Sequence, residues 1–149
     1  MLTLDNVYKA SRVLKNVIRQ TDMIYASKIR SDAKIYLKTE NLQVTGSFKI
    51  RGSYYKISQL TDEEKAKGVI ACSAGNHAQG VALAATENGI KSIICLPDGA
   101  PISKIEATKR YGGCVIWGTN GKQQSIPGFV VQDVRIVQTI RYFPALTIY

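Results

Sequence analysis

The first half of the chain carries two amphipathic patterns separated by a short alternating one. Apolar residues at helical spacing, with Lys and Arg between them, predict a helix over residues 4–18. The segment KIYLKTEN, residues 34–41, places Ile35 and Leu37 on one side and lysines near the other, which predicts a short strand. After a loop, LQVTG, the segment SFKIRGSYYKISQL predicts a second helix with Ser47 as its cap.

From residue 61 onward, apolar runs alternate with helical patterns. The segment TDEE, residues 61–64, is a capping box that opens a short helix, and Gly68 ends it. The runs GVIACS, KSIICLP and CVIW are separated by the helical segments HAQGVALAATENG and ISKIEATKRYG, the second with Pro101 at its first position. Nearly continuous apolar strands joined by helices predict an α/β fold, with a buried parallel sheet flanked by helices.

The composition changes after Trp117. Residues 118–149 contain no Glu and a single acidic residue, Asp133, while Val, Ile, Tyr and Phe become frequent. We therefore divide the chain into one unit over residues 1–117 and a divergent tail over residues 118–149. A frameshifted reading frame and a native truncation both explain such a tail. We expect a shift of frame at codon 118 to restore an acid-rich helix and, further on, a glycine-rich loop.

Length and charge limit the classes of function. The chain has 149 residues, of which 45% are hydrophobic, and this suits one domain with its own core. No stretch approaches the ~20 apolar residues of a membrane span, and the start lacks a signal-peptide pattern, so we expect a cytoplasmic protein that does not bind membranes. The formal charge is +9, but the cations are scattered. This favours small anionic ligands over nucleic acid.

The three cysteines, Cys72, Cys95 and Cys114, each lie in or beside an apolar run. No pair of them has CxxC spacing. We expect reduced thiols in the core and no metal site.

In the segment TGSFKIRG, residues 45–52, Lys49 directly follows Gly46, Ser47 and Phe48 along the chain. Solvated lysines near helix starts are common and need no such setting. A lysine that must form a Schiff base with an aldehyde does need one, because its amine has to be held in place. Phe48 could flank an aromatic cofactor or fill the core.

The segment SAGNHAQG, residues 73–80, lies between a predicted strand and a predicted helix. Proteins of the α/β class bind ligands at the carboxyl ends of parallel strands, and the free N–H groups of a helix start attract carboxylate or phosphate. Ser73, Asn76 and His77 would add donors, and Gly75 would let a ligand approach the backbone. The segment therefore favours an anion pocket, although His77 could equally be a capping or packed residue.

Taken together, the two segments resemble the fold-type-II pyridoxal-phosphate enzymes, the tryptophan synthase β-like group. Within that group the chain is most similar to the threonine ammonia-lyases, also called threonine dehydratases. The resemblance runs from about residue 3 to Trp117 and includes YLKTENLQVTGSFKIRG, KGVIACSAGNHAQGVA and LPDGAPISKIEATKRYG. It implies that residues 1–117 are the N-terminal part of a catalytic domain from a family that is usually homo-oligomeric.

The resemblance also implies a cofactor, pyridoxal 5'-phosphate, and roles for individual residues. Lys49 corresponds to the catalytic lysine that forms the Schiff base, Phe48 to the residue beside the cofactor ring, and Asn76 to the asparagine that binds the phenolic oxygen of the cofactor. The loop that receives the substrate carboxylate corresponds to Ser73, Gly75, Asn76 and His77.

The implied reaction is the deamination of L-threonine to 2-oxobutanoate and ammonia, with serine giving pyruvate as a side reaction. Such a carbon–nitrogen lyase serves amino-acid metabolism, in isoleucine biosynthesis or in serine and threonine degradation. Serine racemases typically have a serine where this chain has Ala74, and an alanine cannot move a proton, so racemisation is disfavoured. Serine racemase or serine dehydratase activity remains the alternative.

One departure from the family bears on activity. The family holds the cofactor phosphate with a later glycine-rich loop and meets the pyridine nitrogen with a later Ser or Cys, and this sequence has neither. The alternative from another class is therefore a non-catalytic fragment or a basic binding module.

Overall fold

A computed structural model gives the fold of residues 3–118. The helices in this range are α1 (Leu4–Leu14), α2 (Lys49–Ser58), α3 (Asp62–Lys67), α4 (Asn76–Glu87) and α5 (Ile102–Arg110). The strands are β1 (Met23–Tyr25), β2 (Tyr36–Lys38), β3 (Val69–Cys72), β4 (Ser92–Pro97) and β5 (Cys114–Gly118). A 3₁₀ turn covers Glu40–Leu42.

The parallel sheet confirms the predicted α/β fold. Its strand order is β3-β4-β5, with Ala71 opposite Ile94 and Ile94 opposite Val115. Helices α4 and α5 form the two crossovers, and the small side chains of α4 pack onto the sheet. Because parallel strands all end at the same edge, the residues after β3 and β4 share one side of the molecule.

The predicted capping box of α3 is confirmed. The Thr61 hydroxyl accepts a hydrogen bond from the backbone N–H of Glu64, and the Glu64 carboxylate accepts one from the backbone N–H of Thr61. Gly68, at φ 80°, ends the helix in a conformation that a side chain disfavours. The chain then enters β3 directly.

The first half of the chain differs from the sequence pattern. Helix α1 ends at Leu14 instead of residue 18, because Lys15 and Val17 donate their backbone N–H groups three residues back, to Arg12 and Leu14, and the chain tightens into a turn. The strand predicted over residues 34–41 shrinks to β2, since its antiparallel partner β1 is itself only three residues long.

Two helix starts are displaced by one residue. Phe48, and not Ser47, is the N-cap of α2, although the Ser47 hydroxyl still accepts from the backbone N–H of Lys49 at 3.4 Å. Pro101 is the N-cap of α5 with an extended ψ of 131°, whereas the sequence placed it in the first helical position.

The expectation of core thiols is wrong for two of the three cysteines. Cys72 and Cys114 are exposed and Cys95 is half-buried; all three are free thiols. Side chains alternate along a strand, so Ala71 packs into the core beneath α4 while Cys72 faces the other way. Burial, together with the neighbouring Cys72 thiol, raises the pKa of Cys95 to about 11.

No helix within residues 3–118 is both long and apolar enough to cross a membrane. Residues 119–149, which hold nearly all of the tail predicted to begin at 118, lie outside the described residues. The boundary after Trp117 therefore stays a prediction.

Candidate functional site

A tight turn delivers the chain into α2 at Lys49. Gly46 sits at φ 68°, a conformation that glycine adopts without strain. The buried hydroxyl of Thr45 donates to the Ser47 carbonyl at 3.4 Å, so the turn is bonded internally. Lys49 is the first residue of the helix, directly after Phe48.

A buried glutamine anchors this turn from behind. The Gln43 side-chain amide accepts from the Arg19 backbone N–H at 2.8 Å and donates to the Arg19 carbonyl at 2.9 Å. It also accepts from the backbone N–H of Val44 at 3.0 Å. The segment before Lys49 is thereby fixed to the segment that follows α1.

An ion pair fixes the helix itself. The Arg51 guanidinium donates two hydrogen bonds to the Glu40 carboxylate, at 2.9 Å and 2.7 Å, and both side chains are largely buried. The Thr21 hydroxyl adds a third bond to Glu40 at 2.5 Å. The Arg51 hydrogen bonds, followed by the Thr21 bond, outweigh partial burial and lower the pKa of Glu40 to about 2.

The amine of Lys49 lies beside an exposed aromatic ring. Its Nζ is 5.2 Å from the centroid of the Phe48 ring, within the range of a cation–π contact. Phe48 is 39% exposed, which excludes the core-filling role left open by the sequence. An aromatic face and an amine therefore stand together at the start of α2.

The loop of residues 73–75 leads from β3 into α4. The backbone N–H of Ser73 donates to the Cys95 carbonyl, and the Ser73 hydroxyl accepts from the Gly75 N–H, each at 3.2 Å. Gly75 is the N-cap of α4 and leaves the helix start without a side-chain cap. A Cβ built on Gly75 would meet nothing within 4 Å except the Ser73 hydroxyl, so this backbone is open to a ligand.

The fold brings the two sequence motifs together. His77, half-buried in the first turn of α4, has its pKa lowered from 6.5 by burial first and then by the charge of Lys49. Both effects favour the neutral form of the His77 imidazole. Deeper along α4, Gly80 packs against the backbone of Lys49 and Ile50.

A second lysine reaches the same place. The Lys104 ammonium on α5 donates to the Asn76 side-chain oxygen at 2.8 Å. The Asn76 amide nitrogen is consequently the group that remains to donate to a ligand. Lys49, Phe48, Asn76 and His77 thus lie around the starts of α2 and α4, with Lys104 at the margin.

The sequence motifs did not point to the residues that support this site. Gln43 and Glu40 act on α2 from a turn that lies before it, and Lys104 is 28 residues from Asn76. Arg51 lies inside the motif TGSFKIRG, but a loop separates it from Glu40, so their spacing of 11 residues along the chain predicts no contact. The tertiary fold brings these groups into contact, by placing the turn at Glu40–Leu42 against α2 and α5 against the start of α4.

The donor set suits an aromatic ligand that bears an aldehyde and a negative charge. An amine can bond to the aldehyde, an amide can donate to a ring oxygen, and an uncapped helix start can receive a carboxylate. Pyridoxal phosphate fits these groups at its aldehyde and ring. Within residues 3–118 no cluster of three His, Cys, Asp or Glu side chains is placed to hold a metal ion.

Comparison with known proteins gives the same family. The family model described as "Pyridoxal-phosphate dependent enzyme" matches residues 14–135. The L-threonine ammonia-lyase of Thermotoga maritima is 53% identical over 118 residues, which cover 78% of this chain and 29% of that protein.

Solved structures agree in fold. Maize serine racemase matches with a TM-score of 0.72 and 40% identity, over 76% of this chain and 35% of that one. Threonine deaminase isoform 2 of Solanum lycopersicum matches with a TM-score of 0.67 and 35% identity, over 78% and 34%. The chain thus spans about a third of the length of the relatives that it matches.

Proposed function

Because the chain belongs to the pyridoxal-phosphate dependent enzymes, we propose that it supplies the lysine-bearing part of a domain that deaminates L-threonine to 2-oxobutanoate and ammonia. L-Serine, giving pyruvate, would be a side substrate. The observation that carries the proposal is the packing of the Lys49 backbone against α4, which begins at the SAGNHAQG loop. Identity of 53% to an L-threonine ammonia-lyase supports the choice of reaction.

Each residue of the site has a part in this proposal. Lys49 would bond to the cofactor aldehyde, the Asn76 amide would donate to the phenolic oxygen, and the Phe48 ring would border the cofactor. When bound, the cofactor draws electrons from the α-carbon of the amino acid. The substrate amine would displace Lys49 from the aldehyde carbon, and the Lys49 amine, once free, would remove the α-proton.

The substrate carboxylate would lie at the start of α4. The backbone N–H groups there carry positive partial charge, and Ser73 and Asn76 contribute side-chain donors. His77 is half-buried, and burial together with the charge of Lys49 lowers its pKa, which favours the neutral imidazole there. Loss of the β-hydroxyl gives an enamine, whose hydrolysis yields the oxo acid and ammonia.

A chimeric enzyme tests the reaction. Residues 1–117 of this chain would replace the matching segment of the Thermotoga maritima ammonia-lyase, which is 53% identical over 118 residues. We expect the chimera to form 2-oxobutanoate from L-threonine, and a Lys49→Ala chimera to form none. A folded chimera that binds the cofactor but yields no 2-oxobutanoate would contradict the proposal.

Racemisation of serine is the second candidate, supported by the likeness to maize serine racemase. Ala74, half-buried against the core in the loop, weighs against it because a methyl group cannot return a proton to the α-carbon. Chiral analysis of serine incubated with the same chimera separates the two activities. Appreciable D-serine would favour racemisation.

Replacing Lys104 with methionine should weaken binding of pyridoxal phosphate by about fivefold, because this exposed hydrogen bond should contribute about 1 kcal/mol, the value of an ordinary one. The Asn76 oxygen would lose its donor, so the amide would no longer be held with its nitrogen toward the ligand. Absorbance titration of the chain with the cofactor measures this. Lys109→Met on the same helix removes an equal charge from an exposed pair with Glu106 and is the control. If both variants weakened cofactor binding equally, the cause would be the loss of one positive charge, and the Lys104–Asn76 hydrogen bond would have no part in binding.

A further inference from the structure

Gly80, the last residue of SAGNHAQG, lies at a tight contact between α4 and α2. A Cβ built on Gly80 would lie 2.9 Å from the Ser53 hydroxyl, 3.2 Å from the carbonyl carbon of Lys49 and 3.3 Å from the backbone nitrogen of Ile50. A separation below 3.0 Å forces a shift, and separations of 3.2–3.3 Å are tighter than most Cβ contacts. The backbone that α4 touches at this point is that of Lys49.

A second helical glycine has no such neighbour. Gly52 lies in α2 and is exposed, and a Cβ built there would meet nothing within 4 Å. Glycine inside a helix costs about 1 kcal/mol relative to alanine. At Gly80, unlike Gly52, the missing side chain permits a helix–helix contact that alanine would obstruct.

The atoms around Gly80 differ in how easily they can move. The Ser53 hydroxyl is buried without a hydrogen-bond partner, so a rotation or its removal relieves the nearest contact. The backbone of Lys49 and Ile50 cannot rotate away, and Ile50 is fully buried. A side chain at position 80 would therefore push the start of α2 outward.

We propose that Gly80 is a positioning residue for Lys49: its missing side chain sets the separation between the start of α2 and the start of α4. The Lys49 amine is thereby held beside the first turn of α4, which carries Asn76 and His77. This inference deepens the proposed function and rests on it for the role of Lys49. The contact between Gly80 and the backbone of Lys49 and Ile50 does not depend on that function.

The experiment compares Gly80→Ala with Gly52→Ala in the full 149-residue chain. Each variant is incubated with pyridoxal phosphate and reduced with borohydride, and the rate of adduct formation at Lys49 is followed by mass spectrometry. We expect Gly80→Ala to slow labelling of Lys49 by about tenfold or more, because reacting groups must be placed to within less than 1 Å. Gly52→Ala should label as the parent chain does.

A readout without cofactor isolates the geometry. His77 is the only histidine in the chain, so its imidazole titration by NMR is unambiguous. If Gly80→Ala moves Lys49 away, the His77 midpoint should rise, and the rise should shrink in a Lys49→Gln background. Loss of global stability alone would not move the midpoint of the folded population, and Gly52→Ala should leave it unchanged.

Ser53→Ala separates the hydroxyl from the backbone contact. In the double variant Gly80→Ala/Ser53→Ala, urea unfolding should show part of the lost stability restored, since the nearest contact is gone. Labelling of Lys49 should stay slow, because the contact with its own carbonyl carbon remains. Parental labelling in the double variant would overturn the proposal.

Two other outcomes have distinct meanings. If Gly80→Ala folds and keeps both the parental labelling rate and the parental His77 midpoint, Gly80 does not position Lys49. If the parent chain itself gives no adduct at Lys49, the proposed function fails, and the His77 titration still decides the role of Gly80.

Discussion

Replacing Lys49 with alanine should abolish the borohydride-fixed adduct between this chain and pyridoxal phosphate. Within the site, Lys49 and Lys104 are the two side chains that could offer an amine to the aldehyde. The Lys104 ammonium already donates a hydrogen bond to the Asn76 side-chain oxygen, which leaves Lys49 as the reacting group. Mass spectrometry of the reduced and digested protein measures the adduct. The expected loss is essentially complete, down to the background labelling of scattered surface lysines.

The matched control is Lys56→Ala, on the last turn of the same helix. This variant should keep the parental adduct, which shows that the loss follows from the position of Lys49 and not from removal of a charge on α2. An adduct that persists in Lys49→Ala, or one that maps chiefly to another lysine, would contradict the assignment of Lys49.

Replacing Arg51 with methionine should lower the free energy of unfolding by about 2 kcal/mol, the usual contribution of hydrogen bonds to a charged group. The substitution removes both guanidinium bonds and leaves the Glu40 carboxylate largely buried, with the Thr21 hydroxyl still bonded to it. An unpaired buried charge is costly, so the loss should exceed that of an ordinary surface pair. Urea unfolding of the 149-residue chain measures it.

The control is Arg30→Met, which removes the exposed pair with Asp32, whose side chain is 63% exposed. Exposed ion pairs contribute little to stability, so no measurable change is expected there. Equal effects of Arg30→Met and Arg51→Met would show that the Glu40–Arg51 pair adds nothing beyond surface charge.

The same ion pair sets an acid dependence. Glu40 has a pKa of about 2 in the folded chain against an ordinary value of 4.5, so its carboxylate binds protons less readily when folded. This contribution to stability is fully present above pH 4.5 and is lost as the pH falls toward about 2. Glu40→Gln should therefore flatten the decline of stability in that window relative to the parent chain. An unchanged dependence of stability on pH in Glu40→Gln would contradict the Glu40–Arg51 ion pair as its cause.

The Glu40–Arg51 pair also bears on function through geometry. Arg51 follows Lys49 and Ile50 in the first turn of α2. The Glu40–Arg51 ion pair therefore fixes the same turn that presents the Lys49 amine. Gln43 fixes the turn before it. Lys49 is exposed, and the backbone on either side of it is held in place, which is what the proposed bond with an incoming aldehyde would require.

Local sequence was sufficient for much of the second half. The capping box at Thr61 and Glu64, the glycine stop at Gly68 and the apolar runs of β3, β4 and β5 all depend on neighbours within a few residues. Such signals are readable because propensity, capping and burial agree there. The first half offered weaker signals, and the short pairing of β1 with β2 was missed because three residues carry no measurable period.

The sequence by itself determined the chemistry-bearing residue types and the order of strands and helices from α2 to β5: a lysine at a helix start, a small polar loop after a buried strand, and α/β alternation. The tertiary structure alone decided which of these groups meet. Gly80 against Lys49, Lys104 on Asn76 and Arg51 on Glu40 are contacts between residues 11 to 31 positions apart. They form where α4 packs on α2, where α5 meets the start of α4, and where α2 meets the turn at Glu40–Leu42. Spacing along the chain cannot encode such contacts, because they depend on how closely helices approach, and that distance is set by the side chains that are absent as much as by those that are present.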